Sequence, residues 1–572
     1  MATIAPSTRI SERPSILASR HAVASGHYLA TEAAMRIFRA GGNAIDAGVA
    51  AGICIDVLLP DLCNFGGVAP LIVFHKASGD LVSISGLGKW GRSTDRQRFV
   101  TEEAGDIPNG VKRSVVPGAP DAWLTALARY GELTFAEVVQ PAIELAEGGF
   151  VVYPSLARNL GQAVENLAQW PSSAEIFLSA GKAQPAGTIL RQRDLANTFK
   201  RMVRAEEAAG GGRAAGIDAA RDEFYRGEIG REIAEYVQAH GGTVDENDLA
   251  DFHSTVETPP SVNFEGVDVH VSGPWCQGPV LAQALNIVSG FDLRGMGLNS
   301  ADYVHTLTEA LNLAFADREQ YYGDPEHVQV PLERLLSAAH AERRRALIDP
   351  SRAFGQMPPS DGLVSRTRQE QAVRSGVEQD TSYVCAIDAD GNAFSATPSD
   401  GVGSTPIIPG LGLICSGRGS QSWLEADHPS SIAPGKRPRL TPNPAMAFRD
   451  GELLMPFGTP GGDMQCQSML QTFLNIVVFG LDVQQAIEAP RFGTFSFPNS
   501  FWPHEYLPGK LKLESRIARS TGDELAGRGH DVEWWPQWTR ATGNMCAILV
   551  DHEQGTLTAG ADARAEAYAA GW

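Results

Sequence analysis

A threonine directly behind an aspartate opens a β-rich stretch in VEQDTSYVCAIDADGNAFSATPSDG, Val377 to Gly401. At a chain's N-terminus a threonine is a self-contained catalyst. Its hydroxyl is the nucleophile, and its own α-amine can take the proton. That amine has a reference pKa of about 7.7–8.0, so a large neutral fraction exists near neutral pH. Inside a chain the terminus must first be made. The Thr381 hydroxyl can make it by attacking the Asp380 carbonyl; the acyl group shifts from N to O and water hydrolyses the ester. Taken alone, the dipeptide is also an ordinary strand opening after a loop, because threonine suits strands.

The surrounding pattern supplies partners. Asp390-Gly391 reads as a two-residue hairpin turn between apolar-alternating runs, which pairs Cys385 with Ala396, Tyr383 with Pro398 and Thr381 with Asp400. Ser399 then falls within one register step of Thr381, so two hydroxyls meet at the open end of the hairpin. Gly461-Gly462, in GTPGG, precede a helical run at SMLQTFLNIVVFG. Glycines let backbone N–H groups approach a developing oxyanion closely, and a helix N-terminus adds to that field. Taken alone, the pair reads more readily as a plain strand-to-helix turn. Thr397 and Thr441 are further hydroxyl candidates.

These residues need elements to hold them. HYLATEAAMRIFRA reads as a helix closed by Gly41-Gly42, and Asn43 can cap a second helix running to about Leu59. That second run, AIDAGVAAGICIDVLLP, is shorter than a bilayer span and carries Asp46 and Asp56, so it reads as a buried core helix. LIVFHKASGDLVSIS reads as a hairpin, ADYVHTLTEALNLAFADREQYY as a long helix ended by Gly323-Asp324-Pro325, and AEEAAGGGRAAG as a surface loop. Ser351 to Asp380 is polar and reads as an exposed segment. Periodicity alone establishes mixed α and β.

The chain has 572 residues, 43% hydrophobic and 20% charged, as expected of a soluble globular protein with a large core. A formal net charge of -20 argues against nucleic acid and against acidic membrane surfaces as partners. The N-terminal stretch MATIAPSTRISERPSILASR lacks an apolar signal core, which points to the cytoplasm. The 7 cysteines form no CxxC pair and the 13 histidines no ligand cluster, so neither a metal nor an organic cofactor is expected.

TSYVCAIDADGN, Thr381 to Asn392, resembles the processing site of the γ-glutamyltransferase family, where a threonine opens a small subunit. The resemblance covers nearly the whole chain in family order. It includes GGNAIDAGVA (Gly41 to Ala50), NFGG (Asn64 to Gly67), SVVPGAPDAW, EALNLAFADREQYYGDP (Glu309 to Pro325), KRPRLTPNPAM (Lys436 to Met446) and GTPGG (Gly458 to Gly462). It implies an α+β fold, a four-layer αββα sandwich of the N-terminal-nucleophile hydrolase type. It also implies cleavage between Asp380 and Thr381 into a large subunit, 1–380, and a small subunit, 381–572, which together build one domain. Thr381 would be the nucleophile, Ser399 the hydroxyl that orients it, and Gly461-Gly462 the oxyanion hole. A dimer of these two-chain units is left open.

The departures from the family concentrate where a γ-glutamyl substrate would bind. The family's D-x-R-E-x-A-P stretch falls at SISGLGKWGRSTD, where Lys89 and Arg92 are the nearby substitutes for its arginine. The family's N-N-Q-x-D-D-F becomes SGRGSQSW, which lacks the amine-binding acid and brings Arg418. The Ser-Ser pair becomes Leu440-Thr441, with Arg439 beside it. An acid is lost and arginines are gained, and arginine recognises carboxylates. The expected activity is therefore hydrolysis of a small non-peptide amide with an acidic acyl group, through an acyl-threonine ester. The Trp423 to Pro438 connection looks short for a covering lid, which favours water over transfer to a second amine. The rivals are a true glutathione hydrolase or γ-glutamyltransferase and a relative that does not process and serves as a binding or scaffold protein.

Overall fold

The computed structural model describes residues 11–360 and 380–572, with the Asp380–Thr381 bond intact. Two seven-stranded antiparallel sheets face each other. One runs Ile16–Ala18, Thr556–Ala561, Cys546–Asp551, Glu452–Gly458, Ala445–Arg449, Val267–Val271, Ser261–Phe264. The other runs Tyr568–Gly571, Ala22–Ser25, Val384–Ile387, Ala393–Ala396, Leu71–His75, Asp80–Ile84, Val256–Glu257.

Strand alternation sorts the side chains into three apolar layers. Val384, Ala386, Phe394 and Ala396 point outward into a core with helices Tyr28–Arg39, Ala44–Leu58 and Phe135–Gly148. Cys385, Ile387 and Ala393 point inward and meet Met446, Phe448, Cys546 and Ile548 of the opposite sheet. The outer face of that sheet, with Val269, Ala445, Ala447 and Ala547, packs on helices Gly278–Val288, Ala301–Tyr321 and Met464–Val477. The result is the expected α+β four-layer αββα sandwich.

Helix Ala44–Leu58 is buried along its whole length, as its apolar composition requires. Asn43 caps it in a capping box with Asp46. Gly48 has Phe394 of the second sheet so close that any side chain there would collide with the ring. Helix and hairpin are further tied by Asp388. Its carboxylate accepts from Ala44 N at 2.8 Å, from Asp390 N at 3.0 Å and from Asn392 N at 2.9 Å. The D-x-D-G-N run therefore caps both its own turn and a helix from the N-terminal half. Asp388→Ala strands buried N–H donors. It is expected to cost about 2–3 kcal/mol in chemical denaturation, the scale of such orphaned donors.

The hairpin register differs from the sequence reading by one residue. Cys385 pairs with Ser395 and Val384 with Ala396, and Thr381 is bridged directly to Ser399 rather than to Asp400. The turn holds three residues, because Asp388 N bonds Asn392 O and Gly391 takes the left-handed conformation, φ 84°. A second correction concerns AEEAAGGGRAAG. Its alanine-rich flanks continue helices Arg193–Ala208 and Arg213–Tyr225, and only 209–212 form the loop. The segment read as exposed over 351–380 falls largely, at 361–379, outside the described residues. All 7 cysteines are free and buried, and no described helix is long and apolar enough to cross a membrane.

Candidate active site

Thr381 sits at the end of strand Val384–Ile387, which is hydrogen-bonded between Ala22–Ser25 and Ala393–Ala396. Ser399 is placed by its pairing with Val68, through bonds of 2.9 and 3.3 Å. Gly67 makes that approach feasible, since a side chain there would run into the Ser399 carbonyl at 2.4 Å. The glycine-rich NFGG turn thus presses the N-terminal half onto the Ser399 end of the hairpin.

At the centre is the Asp380 carbonyl oxygen. Thr381 Oγ1 lies 2.6 Å from it and 2.8 Å from Ser399 Oγ. Ser399 Oγ also bonds the Asp380 carbonyl. Arg418 Nη2 reaches the same oxygen at 3.0 Å and donates to Ser399 Oγ. The Asp380 carbonyl oxygen thus has three donors around it, Thr381 Oγ1, Ser399 Oγ and Arg418 Nη2, and the Thr381 hydroxyl can give its proton either to that carbonyl or to Ser399 Oγ. Thr381, Ser399 and Arg418 are each at most 1% exposed, so these contacts act in a medium where they are strong.

Of the residues expected to bind substrate, Arg418 alone touches Thr381's neighbours. Arg439 is tied to Glu319 at 2.7 Å and lies over the Trp423 ring at 4.4 Å. Burial acts to raise the Glu319 pKa, but Arg439 and Arg318 outweigh it and hold the carboxyl well below its usual range. This arginine is engaged in a buried ion pair. Lys89 pairs with Glu326 at 2.6 Å and Arg92 with Asp251 at 2.8 Å, both on the surface. Neither shares a contact with Thr381, Ser399 or Arg418. Thr441 Oγ1 accepts from Gln421 at 2.9 Å, and Gln277 Nε2 binds the carbonyls of Thr441 and Gly462 together, at 3.0 and 2.8 Å. Thr397 is buried in the hairpin, where its N–H bonds Pro70.

Gly461 and Gly462 have φ of 129° and 56°, which glycine adopts without strain. Among the described residues neither N–H makes a main-chain hydrogen bond. Helix Met464–Val477 begins just beyond them. Gly462 borders the Phe501 ring, and that ring lies 5.3 Å from the Arg418 guanidinium carbon. Gly462 is therefore linked to Arg418 through the Phe501 ring.

Several participants were not legible as such in the sequence. Asp400 has φ 93°, a strained value for a non-glycine residue. Its carboxylate takes the Ser416 hydroxyl at 2.5 Å and lies 3.9 Å from Arg418 Nε. Gly401 N–H donates to Asp380 Oδ2 at 2.9 Å. Arg113 is buried behind Gly417 and Gly419. None belongs to a motif of its own; the sole signal was closeness to Ser399 or to the V-P-G segment. Cys63 lies against Pro398, but burial pushes its thiol well up, so it does not compete as a nucleophile.

Among the described residues one cluster has the ligand types for a metal: His305, Glu309 and His530. His305 Nδ1 and His530 Nε2 stand 2.8 Å apart, a hydrogen-bond distance shorter than the about 3.3 Å between two nitrogens on one tetrahedral zinc. Burial raises Glu309 to about 7 and lowers His530 to about 3. The folded state thus prefers protonated Glu309 beside two neutral imidazoles. The Glu309 part of that preference is complete below about pH 4.5 and is lost as pH rises through about 7, whereas the His530 part is present above about pH 6.5 and is lost as pH falls toward about 3. Glu309→Gln is expected to remove about 3 kcal/mol of stability loss between pH 5 and 8, seen by comparing urea midpoints with wild type.

Residues 30–572 match the family described as Gamma-glutamyltranspeptidase. The Acylase ACY 1 proenzyme of Pseudomonas sp. (strain SE83) is 34% identical, over 96% of this chain and 93% of its own. The Glutathione hydrolase-like YwrD proenzyme of Bacillus subtilis (strain 168) is 32% identical, over 97% of this chain and 99% of its own. The crystal structure of cephalosporin acylase from Bacillus halodurans superposes with TM-score 0.84 at 28% identity, covering 100% of this chain and 99% of that one.

Proposed function

The chain belongs to the γ-glutamyltranspeptidase family, and from that premise we propose that it is a precursor that cuts itself before Thr381 and then hydrolyses a small amide with an acidic acyl group. The observation that carries this reading is the Asp380 carbonyl, held by Ser399 and Arg418 with Thr381 Oγ1 beside it. In self-cleavage Thr381 Oγ1 attacks the Asp380 carbonyl carbon and its proton passes to Ser399. Arg418 and Ser399 stabilise the charge that grows on the carbonyl oxygen. The C–N bond breaks, the nitrogen takes a proton, and an Asp380–Thr381 ester remains. Water hydrolyses it, leaving the Asp380 carboxylate and a free Thr381 amine.

The same hydroxyl, with that amine as base, then attacks a substrate amide. Gly461 and Gly462 N–H groups are the donors for the substrate's oxyanion. The amine leaves, and water releases the acid. Relatives carrying the names acylase and glutathione hydrolase-like support amide hydrolysis, and the arginine at position 418 favours an acidic acyl group.

The two pieces, 1–380 and 381–572, have reason to stay together. Strand Val384–Ile387 of the second piece lies hydrogen-bonded beside Ala22–Ser25 of the first, and Ala393–Ala396 beside Leu71–His75. Intact mass after expression tests the proposal. Two masses, the smaller beginning at Thr381, are expected; a single uncut mass from folded protein would refute it.

A further inference from the structure

The uncut chain binds an acid of its own. Asp380 Oδ1 accepts from Arg418 Nη2 at 2.9 Å, and Oδ2 from the Gly401 N–H at 2.9 Å. The same Arg418 nitrogen holds the carbonyl that Thr381 attacks. At 1% exposure the Arg418 guanidinium is almost fully removed from water, where a charge needs close anionic partners. Asp400 also lies 3.9 Å from its Nε.

We infer that Arg418 and the Gly401 N–H form a carboxylate seat, which Asp380 fills in the precursor and the acyl carboxylate of a dicarboxylic half-amide fills in the cut enzyme. This rests on the self-cleavage proposed above. The last intermediate of that cleavage is an aspartyl ester on Thr381 Oγ1, the same bond as the acyl-enzyme of turnover. Asp380 is thus the first acyl group the site hydrolyses. Its carboxylate stands two carbons from the attacked carbonyl, as in a succinyl group. Once hydrolysis frees Asp380, a substrate carboxylate can replace it on Arg418. An uncharged acyl group leaves the seat without a carboxylate, and a γ-glutamyl group brings an ammonium on the same carbon as its carboxylate, a cation beside the guanidinium.

Two measurements test this. The first is the time course of self-cleavage in Asp380→Asn, which keeps the shape and removes the charge. Cleavage about tenfold or more slower is expected, the cost of one lost charge-assisted hydrogen bond; cleavage at the wild-type rate overturns the inference. The second compares succinyl- with butyryl-p-nitroanilide on the cut enzyme, a carboxylate against a methyl. A kcat/KM ratio of about ten or more is expected in wild type, falling toward one in Arg418→Gln. The ratio is the readout, because a folding defect lowers both rates alike. Where Arg418→Gln stays uncut, the wild-type ratio decides. A wild-type ratio near one, or a preference for γ-glutamyl-p-nitroanilide, overturns the seat and leaves self-cleavage and amide hydrolysis standing. A folded wild-type chain that neither cuts itself nor hydrolyses any of the three removes the proposed function and this inference with it.

Discussion

Thr381→Ala is expected to yield one uncut chain without amidase activity. The substitution removes Oγ1 and leaves the Asp380 carbonyl still held by Ser399 and Arg418, so the electrophile is prepared but nothing attacks it. Loss of a catalytic nucleophile costs about four orders of magnitude or more, and here the same atom serves both reactions. Folding should be spared. The backbone bridge to Ser399 and the neighbouring strand pairs do not involve the side chain. Thr381→Ser keeps the oxygen and is expected to cut and to turn over, at reduced rates. Intact mass and p-nitroanilide hydrolysis read both variants. An Ala variant that still cuts at this bond would place the nucleophile elsewhere.

The second large effect is expected at Ser399. Among the described residues its hydroxyl touches the proposed nucleophile, the carbonyl it would attack and Arg418 together. Ser399→Ala removes an acceptor for the Thr381 proton and one of the donors on the carbonyl oxygen. Self-cleavage is expected to slow by about 10²–10³-fold, the range for losing one oxyanion donor. Ser399→Thr restores a hydroxyl at the same register position and is expected to recover most of the rate. Because the main-chain bonds between Ser399 and Val68 persist in both variants, thermal midpoints should stay close to wild type while the cleavage rates separate. Equal cleavage rates in Ser399→Ala and wild type would reduce Ser399 to a packing residue.

The sequence by itself determined the helix pair around Asn43, the hairpin that follows Thr381 and, through motif order, the family and its four-layer fold, and it singled out Thr381 as the candidate for the chemistry. These are local or near-local properties. A capping asparagine, an apolar run without breaks and an alternating strand pattern act over a few residues, so they survive any tertiary context that buries the right face.

The tertiary structure decided what local pattern cannot. The hairpin register was off by one because Asp388 and Gly391 favour a three-residue turn, and Asp388 is also held by Ala44, far away in sequence. The one-residue shift turned Ser399 from a neighbour of Thr381 into its direct partner. Among four cationic candidates, residue type alone could not separate one role from another. Arg439 meets Glu319 in the core, and Lys89 and Arg92 meet surface carboxylates, while Arg418 reaches Asp380. A guanidinium takes its role from the anion it meets, and here each meeting is between residues distant in sequence that only the packed sheets and their connecting loops bring together.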